Sequence, residues 1–251
     1  MALHAERSGA GPVVAFVHGF TQTGRSWAPV AEGLVGDHEV VVVDAPGHGG
    51  SSAVAADLTT GADLLADAVG PATWVGYSMG ARFSLHVALR HPDRVRGLVL
   101  LGGTAGIDDD AERADRRAQD LATAARLDAD GLPRFLDGWL AQPLFASLPR
   151  ERAGLEDRLR NTVAGLRSSL ELAGTGSQEP LWDRLGTLRM PVLAVAGEHD
   201  ERYAALAERL AAAVGSPSEV ALVPGAGHAA HLEQPDAFLG LLRRWLATHG
   251  L

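Results

Sequence analysis

Six short apolar runs punctuate the chain: VVAFVHG (13–19), EVVVVDAPG (39–47), ATWVGYS (72–78), VRGLVLLGG (95–103), MPVLAVAGEHD (190–200) and SEVALVPGAG (218–227). They are valine-rich, bounded by glycine or proline, and several are separated by stretches of helical period, the pattern of buried strands alternating with helices. Such βαβ units build a mostly parallel sheet, so the expected fold class is α/β. The closing segment from Pro235 places Phe238, Leu241, Leu242, Trp245 and Leu246 at helical spacing, with proline suited to a first helical turn. This predicts a terminal helix packed on the sheet.

The alternation stops between residues 108 and 186, where the chain is rich in arginine and acids, helical in pattern and without a convincing strand. The expected organisation is a core of residues 1–107 and 187–251 interrupted by a helical cap, 108–186. No internal repeat or low-complexity segment is present, although alanine is abundant.

Composition narrows the chemistry. A chain of 251 residues, 46% hydrophobic and 21% charged, fits one globular domain or a domain carrying an insertion. There is no cysteine, which excludes disulfides, thiolate nucleophiles and cysteine-ligated zinc. Lysine is also missing, so every cation other than histidine is an arginine, and recognition of an anion falls to the guanidinium fork. A net charge of -9 argues against nucleic acid as a partner. No apolar run is long enough to cross a bilayer, and MALHAERSGAG lacks the features of a signal peptide, so a cytoplasmic protein is expected.

The stretch Gly76-Tyr77-Ser78-Met79-Gly80 satisfies G-x-S-x-G between a predicted strand and the amphipathic run ARFSLHVALRH. A strand turning sharply into a helix leaves no room for β-carbons beside a nucleophile, which is why glycines flank it. A serine hydroxyl needs an imidazole to take its proton, and the imidazole needs a carboxylate to fix its tautomer. Candidates follow the last two strands, in Glu198-His199-Asp200 and Gly225-Ala226-Gly227-His228. Carboxyl ends of strands are where open α/β sheets place their sites. Asp200 is assigned as acid and His228 as base, with Glu198 and His231 as competitors.

Two further loops bear on the site. His18-Gly19-Phe20 follows the first strand, and the backbone N–H groups of Phe20 and Met79 are the natural pair of donors for a developing oxyanion. His18, and His48 in DAPGHGGSS, read as structural histidines. HAAHLE matches neither zinc-helix pattern, so no metal and no cofactor is expected. Arg82 lies four residues after Ser78 on the same predicted helix and shares its face one turn on.

Together HGF, DAPGHGGS, GYSMG, GEHD and GAGHAAHLEQP resemble the α/β-hydrolase superfamily over nearly the whole chain. Within it, GYSMGAR, GGTAGI with ERADRRAQD, GWLAQPLFASL and LRNTVAGLRSSLELAGTGSQEPLWDRL resemble a menaquinone-pathway family, the 2-succinyl-6-hydroxy-2,4-cyclohexadiene-1-carboxylate synthases. That resemblance implies elimination of pyruvate from an enolpyruvyl cyclohexene carrying a succinyl chain. The triad would abstract a proton beside the succinyl ketone, without an acyl-enzyme. It further implies that Arg82, Arg116 and Arg160 bind the carboxylates of a small polycarboxylate substrate, with Trp139 and Tyr77 also lining the site. From the residues alone, Arg116 and Arg160 sit among mixed charges that usually mark a solvated helix face, and Trp139 would be core. Two rival readings keep the same fold: a serine hydrolase cleaving an ester or a carbon–carbon bond, and a ligand-binding protein that has lost turnover. The oligomeric state is not legible.

Overall fold

All six apolar runs form strands, and a seventh precedes them. In the computed structural model, which describes residues 2–215 and 217–251, one seven-stranded sheet has the order β1-β3-β2-β4-β5-β6-β7. The strands are β1 (Ala5–Gly9), β2 (Val13–Val17), β3 (Glu39–Val43), β4 (Ala72–Tyr77), β5 (Val95–Leu101), β6 (Val192–Gly197) and β7 (Ser218–Val223). Every pairing is parallel except β1 with β3. β1 reads AERSG and is mostly exposed. Its side chains are polar or small and give it no apolar face, which is why it leaves no mark in the hydrophobic pattern, whereas the other edge strand, β7, carries Val220, Leu222 and Val223.

The described residues form seven helices of nine residues or more: α1 (Leu58–Val69), α2 (Met79–Arg90), α3 (Asp110–Asp130), α4 (Leu132–Leu140), α5 (Val163–Ala173), α6 (Glu201–Val214) and α7 (Pro235–His249). Side chains alternate across the central strands. Ala15 and Val17 point to the layer that contains Leu65, Phe83 and Leu210 of α1, α2 and α6. Val14 and Phe16 point to the opposite layer, with Phe238, Leu242 and Trp245 of α7. Both faces are therefore covered, and the central strands are uniformly apolar because neither face meets water.

Between β5 and β6 the described residues form helices and no strand. Asp109 caps α3 by accepting the Glu112 N–H at 2.9 Å, and Thr162 caps α5 through Gly165 at 3.0 Å. Leu127, Leu132, Phe135, Leu136 and Leu166 bury a small core of their own, against which Phe20 packs from the loop after β2. Of the residues assigned to the core on sequence, Met1 and Ser216 lie outside the described set.

Candidate active site

Ser78 sits between β4 and α2 with φ 52° and ψ -108°, a backbone conformation that costs a non-glycine residue energy. Its N–H is tied to the Leu101 carbonyl at 2.8 Å. The flanking glycines have separate steric reasons. A β-carbon at Gly76 would lie 2.4 Å from the Gly80 carbonyl oxygen, and one at Gly80 would lie 2.0 Å from that of Val17. Both obstacles are backbone and cannot rotate aside. Gly80→Ala is accordingly expected to destabilise the fold by several kcal/mol, on the order of 3 or more, read as a lowered urea midpoint. An unchanged midpoint would mean that α2 shifts freely against β2.

The loops after β6 and β7 bring two side chains to the serine. His228 Nδ1 lies 2.7 Å from Asp200 Oδ2, and His228 Nε2 lies 3.2 Å from Ser78 Oγ. Asp200 caps α6 by accepting the Tyr203 N–H, which fixes its carboxylate. Gly102 leaves space for the imidazole, since a β-carbon there would come within 2.9 Å of His228 Cε1. The two competitors are elsewhere. Glu198 accepts from the Gly225 N–H at 2.8 Å and holds that turn. His231 is fully buried between Trp27 and Tyr77, at ring distances of 4.3 and 4.4 Å, and neither ring nitrogen has a hydrogen-bond partner among the described residues. His18 and His48 each bond backbone through both ring nitrogens: His18 with Gly19 and Ala45, His48 with Pro46 and Thr21.

These buried imidazoles carry a consequence for stability. Burial pushes the pKa of His48 down to about 3 and of His86 to about 4, and lowers His18 and His231 as well. In the unfolded chain all four titrate near pH 6.5, so below that pH unfolding takes up protons. Stability should fall as pH drops from about 6.5 towards 4, by up to about 1.4 kcal/mol per pH unit for each histidine. Urea midpoints measured from pH 7 to 4.5 check this, and a flat profile would contradict the buried neutral rings.

A cavity of about 360 Å³ opens over Ser78 and His228. Phe20, Tyr77, Met79 and Arg82 border it from the sheet side, and Arg116, Asp120, Trp139 and Arg158 from the segment between β5 and β6. The backbone N–H groups of Phe20 and Met79 have no protein acceptor among the described residues. Tyr77 is buried, with its ring 5.3 Å from that of His228, and burial raises its hydroxyl pKa beyond the usual range. Trp139 packs edge-on to Phe20 at 5.1 Å.

The arginines divide. Arg82 is buried and donates from Nη1 to the Ala173 carbonyl at 2.8 Å, with no carboxylate in salt-bridge range among the described residues. Burial, and then repulsion from Arg116, lower its pKa to about 10, which leaves it charged at neutral pH. Arg116 is half-buried and already paired, through Asp120 Oδ1 at 2.9 Å and Thr175 Oγ1 at 3.0 Å. Arg160 is not brought to the cavity. It is exposed and lines a separate depression with His4, Arg25 and Asp44. Arg158 lies at the cavity instead, 1% exposed, with Nε donating to the Ala153 carbonyl and Nη1 to Thr21 Oγ1. Residues two apart on a helical turn point to different sides, so only one of the two can face the serine. Nothing in EDRLRN reveals which. Asp120 is likewise illegible, being one acid among many in a mixed-charge helix.

The described residues contain no cluster of three or more His, Asp or Glu placed to hold a metal ion, and no helix long and apolar enough to cross a membrane.

Residues 14–241 match the model of the alpha/beta hydrolase family. A 2-succinyl-6-hydroxy-2,4-cyclohexadiene-1-carboxylate synthase of Salmonella heidelberg is 33% identical, aligned over 98% of this chain and 99% of its own. The chain belongs to the α/β-hydrolase family, among these synthases. An Enterobacter synthase of the same name is 34% identical over 94% of this chain and 92% of its own. The solved structure of MenH from S. aureus superposes with a TM-score of 0.92, at 29% identity and 99% coverage of both chains. The α/β-hydrolase fold is thus shared over the full length, and the likeness to the synthases extends through the segment between β5 and β6.

Proposed function

We propose that this protein eliminates pyruvate from 2-succinyl-5-enolpyruvyl-6-hydroxy-3-cyclohexene-1-carboxylate to give 2-succinyl-6-hydroxy-2,4-cyclohexadiene-1-carboxylate, the product named for its relatives. The observation that carries this reading is the pair Arg82 and Arg158, two buried guanidiniums at the cavity with no carboxylate partner among the described residues. Burying an unpaired cation is costly unless a ligand brings the counter-charge. A substrate with several carboxylates does so, and a neutral ester does not.

Ser78 and His228 form the proton-abstracting pair, with Asp200 fixing the imidazole so that Nε2 faces the serine. The proton leaves the ring carbon that bears the succinyl ketone and is held on His228. The electron pair moves into the ketone, where the Phe20 and Met79 N–H groups stabilise the enolate oxygen. As the ketone reforms, the ring double bonds shift to the 2 and 4 positions and the carbon–oxygen bond to the enolpyruvyl group breaks. Enolpyruvate then takes up a proton and becomes pyruvate. The segment 108–186 serves as a cap that supplies Arg116, Trp139 and Arg158 and excludes water. Small-molecule chemistry of this kind is consistent with a cytoplasmic enzyme that uses no cofactor.

A second reading shares the serine geometry. A solved esterase from Thermogutta terrifontis superposes with a TM-score of 0.82 at 26% identity over 98% of this chain and 93% of its own. Following pyruvate release from the enolpyruvyl substrate alongside hydrolysis of a neutral aryl ester separates the two. Efficient ester hydrolysis without pyruvate release would make the protein a serine hydrolase.

A further inference from the structure

Thr21 is a β-branched residue in the left-handed region, with φ 69°, and it is fully buried. It occupies the third position of a turn closed by Gln22 N–H donating to the Gly19 carbonyl at 3.1 Å. Glycine or asparagine is the usual occupant of such a position, and a threonine persists there only where surrounding contacts over-determine it. Here every polar group of Thr21 is engaged. Its N–H donates to His48 Nε2 at 3.3 Å, its carbonyl accepts from Asn161 Nδ2 at 2.7 Å, and its hydroxyl accepts from Arg158. Two of these three partners come from the segment between β5 and β6.

The same short stretch ties down the neighbouring backbone. Asn161 Oδ1 accepts the Gly49 N–H at 2.9 Å, so one side chain joins the loop after β2 to the loop after β3. Asp157 accepts from both the hydroxyl and the N–H of Thr23, at 2.6 and 3.2 Å. Phe20 is the residue immediately before Thr21, and its N–H lies free in the turn that these contacts lock.

We propose that Asn161 and Asp157 are positioning residues: they strap the Gly19–Gln22 turn into its strained form and so aim the Phe20 N–H at the reacting oxygen. The proposal rests on the reading of that N–H as an oxyanion donor. It makes docking of the 155–161 stretch a condition for a formed oxyanion site, with neither residue touching substrate. Such a device acts on the transition state and leaves ground-state binding alone.

The test is a double-mutant cycle of Asn161→Ala with Thr21→Gly, because glycine holds a positive φ without strain. Asn161→Ala should lower kcat for pyruvate release by tenfold to about a hundredfold while KM moves little. In the Thr21→Gly background the same Asn161→Ala change should cost much less, and a crystal structure of Asn161→Ala should find Thr21 outside the left-handed region. A kcat loss that is equally large in the Thr21→Gly background, a rise in KM alone, or a Thr21 that keeps its positive φ would overturn the proposal. If Asn161→Ala does not fold, Asp157→Asn, which removes an acceptor for one of the two Thr23 donors, is read in the same way. If the wild type releases no pyruvate, the functional reading fails, while the position of Thr21 in the variant structure still decides the strap.

Discussion

Ser78→Ala and His228→Ala should each lower kcat for the enolpyruvyl substrate by roughly 10²–10⁴-fold, and the double variant should be little worse than either alone. The three side chains form one hydrogen-bonded line, 2.7 Å from Asp200 to His228 and 3.2 Å from His228 to Ser78. Removing one end leaves the other without its proton partner, so the second removal has little left to lose. Asp200→Asn belongs to the same unit, because an amide in its place can donate to Nδ1 and present the wrong tautomer to the serine. Glu198→Gln should be close to wild type in kcat, since its carboxylate serves the Gly225 turn and not the imidazole. Steady-state kinetics of the four variants and the double variant, with circular dichroism to confirm folding, test this. Independent multiplicative losses, or a larger effect at Glu198 than at Asp200, would remove the triad assignment.

The parts of this architecture that can be read in the sequence are those where one physical requirement dominates a run of residues. The runs at 13–19, 72–78, 95–103 and 190–200 are apolar on both faces because helices cover both sides of the sheet. β1 escapes because its pairing with β3 is a matter of backbone hydrogen bonds that its polar side chains do not report. The serine turn is legible because two close backbone approaches, at Gly76 and Gly80, impose glycine at fixed spacing. Arg82 is legible because helical spacing from Ser78 fixes its direction.

The arginines of the segment between β5 and β6 are not legible, and the reason is orientational. Arg158 and Arg160 have the same chemistry and the same neighbours in sequence, and only the docking of the Leu155–Arg158 turn against Thr21 and Thr23 decides which is buried. Asp120 has the composition of a surface acid and is buried because Gly176 N–H and Arg116 both reach it. Thr21 is invisible for a third reason. A left-handed residue advertises itself when it is glycine, and a threonine held there by long-range contacts does not.

Arg82→Ala should reduce kcat/KM for the enolpyruvyl substrate by tens-fold to thousands-fold and leave hydrolysis of a neutral aryl ester, if measurable, nearly unchanged. The guanidinium is buried beside the serine, charged at neutral pH and bonded only to a carbonyl, so a substrate carboxylate would be its first counter-charge. A charge-assisted contact in such a desolvated place is worth on the order of 2–5 kcal/mol, which converts to that range of rate loss. Arg158→Ala should be as damaging, and less selective, because the same side chain also holds the Thr21 hydroxyl and would disturb any reaction that uses the Phe20 N–H. Arg116→Ala should have a smaller effect, since Asp120 already balances its charge and the side chain is half in water. Arg160→Ala should leave both activities at wild-type values, because its depression is separate from the serine cavity. The ordering is what discriminates. If Arg160→Ala impairs pyruvate release more than Arg82→Ala does, or if Arg82→Ala affects the neutral ester as strongly as the polycarboxylate, the buried guanidiniums are structural and the substrate assignment falls with them.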